Sequence, residues 1–100
     1  MVVEMKNKSI TLAKFFASKE RLFVHCNTEA KAERLLKAFY NLGKTWMYGE
    51  SYLNNNYWNH YCDKTIYSND GLFSSVDFCK ESNVTIYEFE DINWGQHYDK

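Results

Sequence analysis

Six side chains in this 100-residue chain could serve as soft metal ligands or nucleophiles: His25, Cys26, His60, Cys62, Cys79 and His97. A structural zinc site gathers its ligands from closely spaced pairs. His60-x-Cys62 is the single pair at such a spacing, and no second pair accompanies it. A thiol–imidazole dyad needs the two groups to face each other. His25 and Cys26 are neighbours in an expected strand, where neighbours point to opposite faces. His60 or His97 could still approach a cysteine in space. Acid–base work would need carboxylates brought together, yet Glu50, Asp63, Asp70 and Asp77 each fall on a turn or an exposed face. Residues 38–45, Ala-Phe-Tyr-Asn-Leu-Gly-Lys-Thr, match a relaxed phosphate-loop pattern. A phosphate loop runs from a strand into a helix N-terminus, whose amides hold the anion. This match leaves a helix for a strand, so Gly43 reads as a helix stop. The chain therefore reads as a non-enzyme with no catalytic residue, metal or cofactor.

The chemistry that remains is binding. Residues 43–67 hold Trp46, Tyr48, Tyr52, Tyr57, Trp58, Tyr61 and Tyr67, seven of the chain's 18 aromatic residues. Each of these rings carries a polar atom, as suits a surface that packs and also hydrogen-bonds. Asn54, Asn55 and Asn56 interrupt them. Trp46 and Trp58 read as partly core, and Tyr48, Tyr52 and Tyr57 as exposed. The candidate partner- or ligand-binding set is Lys44, Tyr48, Glu50, Tyr52, Asn54, Asn55, Asn56, Tyr57 and Trp58. It would form a protein interface anchored by Tyr and Trp, or a pocket stacking a nucleotide base or sugar between rings. Lys31, Arg34, Lys37 and Lys44 beside Trp46 and Tyr48 would suit nucleic acid, against which stands a pI of 6.3. An exposed aromatic face would also suit a homodimer.

The elements that must position these residues follow from periodicity. Residues 9–17 predict a short helix capped by Ser9 or Thr11, with Leu12, Phe15 and Phe16 on one face. Residues 21–26 predict a strand with Leu22, Val24 and Cys26 pointing one way and Phe23 and His25 the other. Asn27 or Thr28 starts the longest helix, to about Leu42, with Ala32, Leu35, Leu36 and Phe39 as its buried stripe. Residues 45–48 predict a short strand, 51–61 stay open between helix and loop, and 64–68 predict a strand. Asn69-Asp70-Gly71 is a turn signal, after which Leu72 and Phe73 extend a hairpin arm. Ser74 or Ser75 caps a short helix through Lys80, with Val76 and Cys79 inward and Asn83 as its end. Residues 84–90 predict a strand. Segments 1–8 and 93–100 are expected to be flexible, with Trp94 as an anchor candidate.

Strands alternating with helices predict an α+β fold. The expected form is a small mixed or antiparallel sheet of about four strands with two to three helices, in two β-α-β-like halves. One hundred residues make a single domain, 1–100, large enough to fold without a disulfide or metal. Three cysteines fit a reducing compartment. The first residues carry no apolar run of signal-peptide type, and no stretch reaches the ~18 apolar residues of a membrane span. A cytoplasmic location is expected, with no membrane partner. Charge is divided along the chain: residues 1–48 hold nine Lys/Arg against four Glu, and residues 49–100 hold three Lys against nine Asp/Glu. Such a division can steer a charged partner.

Five segments carry a resemblance. They are Val24-His25-Cys26-Asn27-Thr28-Glu29-Ala30-Lys31-Ala32, Gly43-Lys44-Thr45-Trp46, Gly49-Glu50-Ser51, Trp58-x-x-Tyr61 with Tyr67, and Val84 to Asp91. Their V-H-C-x-T-E, G-x-x-W-x-x-G and W-x-x-Y layout, over about residues 21–92, resembles a group of small proteins of phages and prophages of Gram-positive bacteria. The resemblance implies a counter-defence role in the host cytoplasm. This would be inhibition of a host defence protein, such as a CRISPR–Cas effector, or sequestration of a nucleotide immune signal. It carries no catalytic residues.

Overall fold

The computed structural model describes residues 9–79 and 84–94. The chain opens with a two-residue strand β1 (Ile10–Thr11) and helix α1 (Leu12–Ala17), whose first turn is capped by the Thr11 hydroxyl accepting from the Lys14 amide. Strand β2 (Leu22–His25) follows, then α2 (Glu29–Asn41), capped in the same way by Thr28 accepting from Lys31 N. Ala32, Leu35, Leu36 and Phe39 are the buried stripe of α2, as their spacing predicts. Gly43 N–H closes the helix end by donating to the Tyr40 carbonyl.

A long connection, residues 42–64, then returns the chain to the sheet. The expected strand at 45–48 is absent. Trp46 and Gly49 instead close a tight turn (Gly49 N to Trp46 O, 2.8 Å), and Trp46 N donates to Glu50 O. These backbone groups are satisfied within the connection and by Gly71, so no strand partner is left for them. Two single-turn 3₁₀ segments, Trp58–His60 and Cys62–Lys64, resolve the open stretch before β3 (Thr65–Ser68). The turn at 69–71 leads into β4 (Phe73–Ser75), helix α3 (Val76–Cys79), β5 (Thr85–Glu88) and β6 (Ile92–Asn93). The Ser75 hydroxyl accepts from Asp77 N at the start of α3. The expected helix end at Lys80 and Asn83 lies outside the described residues, as do 1–8 and 95–100. From the tail expected to be flexible, Asn93 pairs with Thr11 in a parallel two-stranded sheet, and Trp94 meets α2.

The main sheet has the order β4-β3-β2-β5, with β2 parallel to β5 and antiparallel to β3. It is a mixed four-stranded sheet in an α+β fold. The two expected halves are not alike: the first, β2 and α2, lacks its strand at 45–48, and the strands of the second, β3 and β5, lie on either side of β2.

Register aligns one row across the sheet: Phe73 on β4, Tyr67 on β3, Val24 on β2 and Tyr87 on β5. Tyr67 and Val24 are fully buried in the cluster that also holds the α2 stripe, Leu12, Phe15, Trp46, Tyr52 and Ile92. Phe23 and Ile66 are buried from the other face. Asn69 locks the near end of the sheet. Its side chain accepts from Leu22 N (3.1 Å) and donates to the carbonyls of Phe15 (2.9 Å) and Glu20 (3.0 Å). Arg21 and Asp70 add an ion pair there at 2.8 Å.

Candidate functional site

Two of the candidate catalytic groups, His25 and Cys26, are spent on structure. Both ring nitrogens of His25 face oxygens: Nε2 lies 2.7 Å from the Asp63 carbonyl and Nδ1 lies 2.8 Å from Glu88 Oε1. A carbonyl can only accept, so Nε2 carries a proton, and neither nitrogen is left to meet a substrate. His25 thus ties β2 to β5 and to the second 3₁₀ turn. Its neighbour Cys26 is fully buried. Burial, with Glu90 and Glu88 nearby, pushes its thiol far above the ordinary range, so it packs as a small apolar group rather than a thiolate. Cys62 is exposed, with a left-handed backbone (φ 51), and its thiol lies 3.9 Å from the Asn59 carbonyl. No group of three or more His, Cys, Asp or Glu side chains could hold a metal among the described residues. The side chain of Cys79 and the whole of His97 lie outside them.

The nine-residue binding set does not come together in one place. Tyr48, Glu50 and Tyr57 come together. With Trp46, Met47, Gly71, Leu72 and Phe73 they line a depression of about 250 Å³. Asn54, Asn55 and Asn56 line a different one, of about 420 Å³, beside Glu33, Leu36 and Lys37 of α2. Lys44 lies apart, its ammonium 4.9 Å from the Phe16 ring centre. Tyr52, expected to be exposed, is 3% exposed and packs between Phe39 (5.4 Å) and Trp46 (4.7 Å). Trp58 is half-buried, its indole N–H donating to the Cys26 carbonyl at 3.4 Å.

The asparagines act as the frame of the connection. Asn55 Oδ1 accepts from Tyr57 N, and its carbonyl accepts from the Trp46 indole N–H at 3.0 Å. Asn56 Oδ1 accepts from Trp58 N, its amide donates to Glu29 at the start of α2, and its carbonyl accepts from the Tyr67 hydroxyl at 2.7 Å. Short side chains that bond their own backbone two residues on are what this turn needs. Asn54 is exposed.

The rings on the other side of the connection form a continuous series. Trp46 meets Tyr57 edge-on at 5.0 Å, and Tyr57 stacks on Phe73 at 4.6 Å with planes 5° apart. Phe73 meets His60 at 5.3 Å and Tyr61 at 6.1 Å, and Tyr61 meets Phe78 edge-on at 5.7 Å. The series begins in the core and ends in solvent: Phe78 is 67% exposed, and Tyr48, beside its other end, is 94% exposed. Tyr57 is fixed in place by its left-handed backbone (φ 54), its stack on Phe73, and its hydroxyl donating to Glu50 Oε1 at 2.7 Å. A bulky residue at positive φ is uncommon and is held there only by its surroundings.

Sequence reasoning missed Phe73, His60, Tyr61 and Phe78. Phe73 was legible in part: a hairpin around Asn69-Asp70-Gly71 sets it opposite Tyr67. Of the basic patch that would suit nucleic acid, Arg34 and Lys37 line one depression, and Lys31 and Lys44 do not. Lys31 pairs with Glu90 and with Asn27, and the hydrogen bond from Lys31 holds the Glu90 carboxyl below its ordinary value. Trp46 is buried, and Tyr48 lines a different depression from Arg34 and Lys37.

Three tyrosines should resist ionisation. Burial, with Asp70 nearby, pushes Tyr52 from 10.0 up to about 12. Burial pushes Tyr67 up further, and the hydrogen bond to Glu50 raises Tyr57. A raised folded value means the stability is whole below 10.0 and is lost as pH climbs towards about 12. In an alkaline absorbance titration, part of the tyrosinate signal should therefore appear only with unfolding, and Tyr52→Phe should diminish that late part. A single early wave, complete while the fold is intact, would contradict the packing of these rings.

Among the described residues no helix is long and apolar enough to cross a membrane. Compared with protein-family models, with curated proteins and with solved structures, the chain matches none.

Proposed function

We propose that this chain is a phage-derived, non-enzymatic binding protein that inhibits a host defence component in the host cytoplasm. Its contact surface is the ring face formed by Tyr48, Tyr57, Phe73, Tyr61 and Phe78. The observation that carries the reading is the unbroken series of ring contacts from buried Trp46 to 67%-exposed Phe78, with 94%-exposed Tyr48 beside it. Rings anchored at one end and open at the other lose little freedom on docking, and Tyr and Trp dominate interface hot spots. Contiguous apolar exposure on a small domain is a mark of an interaction site. The kind of partner, a CRISPR–Cas effector first, comes from the resemblance to small phage and prophage proteins. The test is to mix the purified chain with candidate effectors. The expected result is co-elution on gel filtration and loss of effector activity; separate elution across the effectors of a susceptible host would remove the proposal.

A second reading, sequestration of a nucleotide signal, is supported by the 420 Å³ depression beside Lys37, which is large enough for a nucleotide. It is the weaker of the two because the asparagines there are tied into the turn and the stacked rings open elsewhere. A rise in melting temperature with cyclic nucleotides or ADP-ribose derivatives would favour it.

A further inference from the structure

Helix α2 carries, on its solvent side, a depression of about 290 Å³ lined by Arg34, Lys37, Ala38, Asn41, Leu42 and Trp94. It shares no residue with the ring face. Positions 34, 38 and 42 fall in one row along the helix, and 37 and 41 in the row beside it. The stripe therefore alternates donors with an apolar floor, and Leu42 is 43% exposed on it.

The Arg34 guanidinium sits 5.0 Å from the centre of the Trp94 ring, which is itself packed on Phe89 at 5.5 Å. A guanidinium held on an aromatic face keeps its N–H edges free and is only weakly hydrated, so it is ready for a planar anion. Lys31, one turn earlier, is paired with Glu90. Arg34 and Lys37 have no such carboxylate among the described residues. Among the described residues, two cations with no carboxylate at salt-bridge distance, above an apolar floor, suit a ligand with two anionic groups and an apolar group between them. The Trp94 face is taken by Arg34 and Phe89, so a nucleobase would find no free ring in this depression.

We propose that this stripe docks an acidic peptide segment of a protein partner. Its carboxylates reach Arg34 and Lys37, and an intervening apolar side chain rests on Ala38 and Leu42.

The probe is a fluorescein-labelled helical peptide carrying Glu at one-turn spacing with Leu between, titrated against the whole chain by anisotropy. Saturable binding that weakens with added salt is expected, along with its loss when Gln replaces Glu in the peptide. Arg34→Gln with Lys37→Gln should weaken binding by at least roughly tenfold, because charged hydrogen bonds supply most of it. Both side chains are exposed, so the melting temperature of the double variant should stay close to that of the unaltered chain. The proposal is overturned by absence of saturable peptide binding at low salt, or by equal binding to the double variant. It is also overturned if single-stranded oligonucleotide binds more tightly than peptide, or if the double variant abolishes a self-association of the chain.

Discussion

Trp46→Ala should cost about 3–5 kcal/mol of folding stability, the range for removing a large buried ring. Trp46 is 5% exposed and meets Tyr52, Tyr57, Tyr67 and Phe73 within 4.7–6.0 Å. A loss of this size is a large share of the roughly 5–15 kcal/mol that holds a small domain folded. The measurement is the midpoint of urea unfolding. Trp46→Phe keeps a ring and loses mainly the N–H donated to the Asn55 carbonyl, so it should fall between the two. A cost under about 1 kcal/mol for Trp46→Ala would mean that the ring is not the hub of this packing.

The second large effect is expected at Gly71, in the turn joining β3 to β4. Its φ is +87°, and a Cβ there would lie 2.5 Å from Met47 N, 2.9 Å from Met47 Cα and 3.0 Å from the Trp46 carbonyl carbon. These are backbone atoms, which cannot swing aside. The Gly71 carbonyl also accepts from Met47 N, so the two turns are fastened at this point. Gly71→Ala combines left-handed strain with a clash, together about 2–5 kcal/mol. It should also push away the turn that carries Tyr48. Gly49→Ala is the control: φ is +96° but the space around it is open, leaving backbone strain alone, about 1–2 kcal/mol. The unfolding midpoint and the near-ultraviolet circular dichroism of Trp46 report both. Equal losses at the two glycines would show that the close approach of the 46–48 turn to Gly71 is not maintained.

What was legible in the sequence was local. The Thr11 and Thr28 caps, the α2 stripe and the turn at 69–71 depend on residues within a few positions of one another, and they stand where periodicity and cap chemistry place them. The connection was less legible because its partners are distant in sequence. Tyr52 is buried by Phe39 of α2 and by Trp46. Asn56 is held by Glu29, 27 residues away, and by Tyr67. Residues 45–48 have β-forming composition but meet Gly71 instead of a strand, a case of tertiary contact overriding propensity. The binding set includes Tyr48, Glu50 and Tyr57, which line one depression. It could not place Phe73 and Phe78 beside them, because that grouping rests on sheet register and on a turn of only three residues, Cys62–Lys64.

The central claim is that the ring face is a protein-binding surface. Its most direct measurement is the dissociation constant for a co-eluting defence effector, with the unaltered chain and with Tyr48→Ala plus Phe78→Ala. Both residues are exposed, so the fold should survive their truncation, as a thermal melt can show. Loss of two aromatic anchors should weaken the complex by roughly 100-fold or more. An unchanged dissociation constant in a folded double variant would contradict the claim.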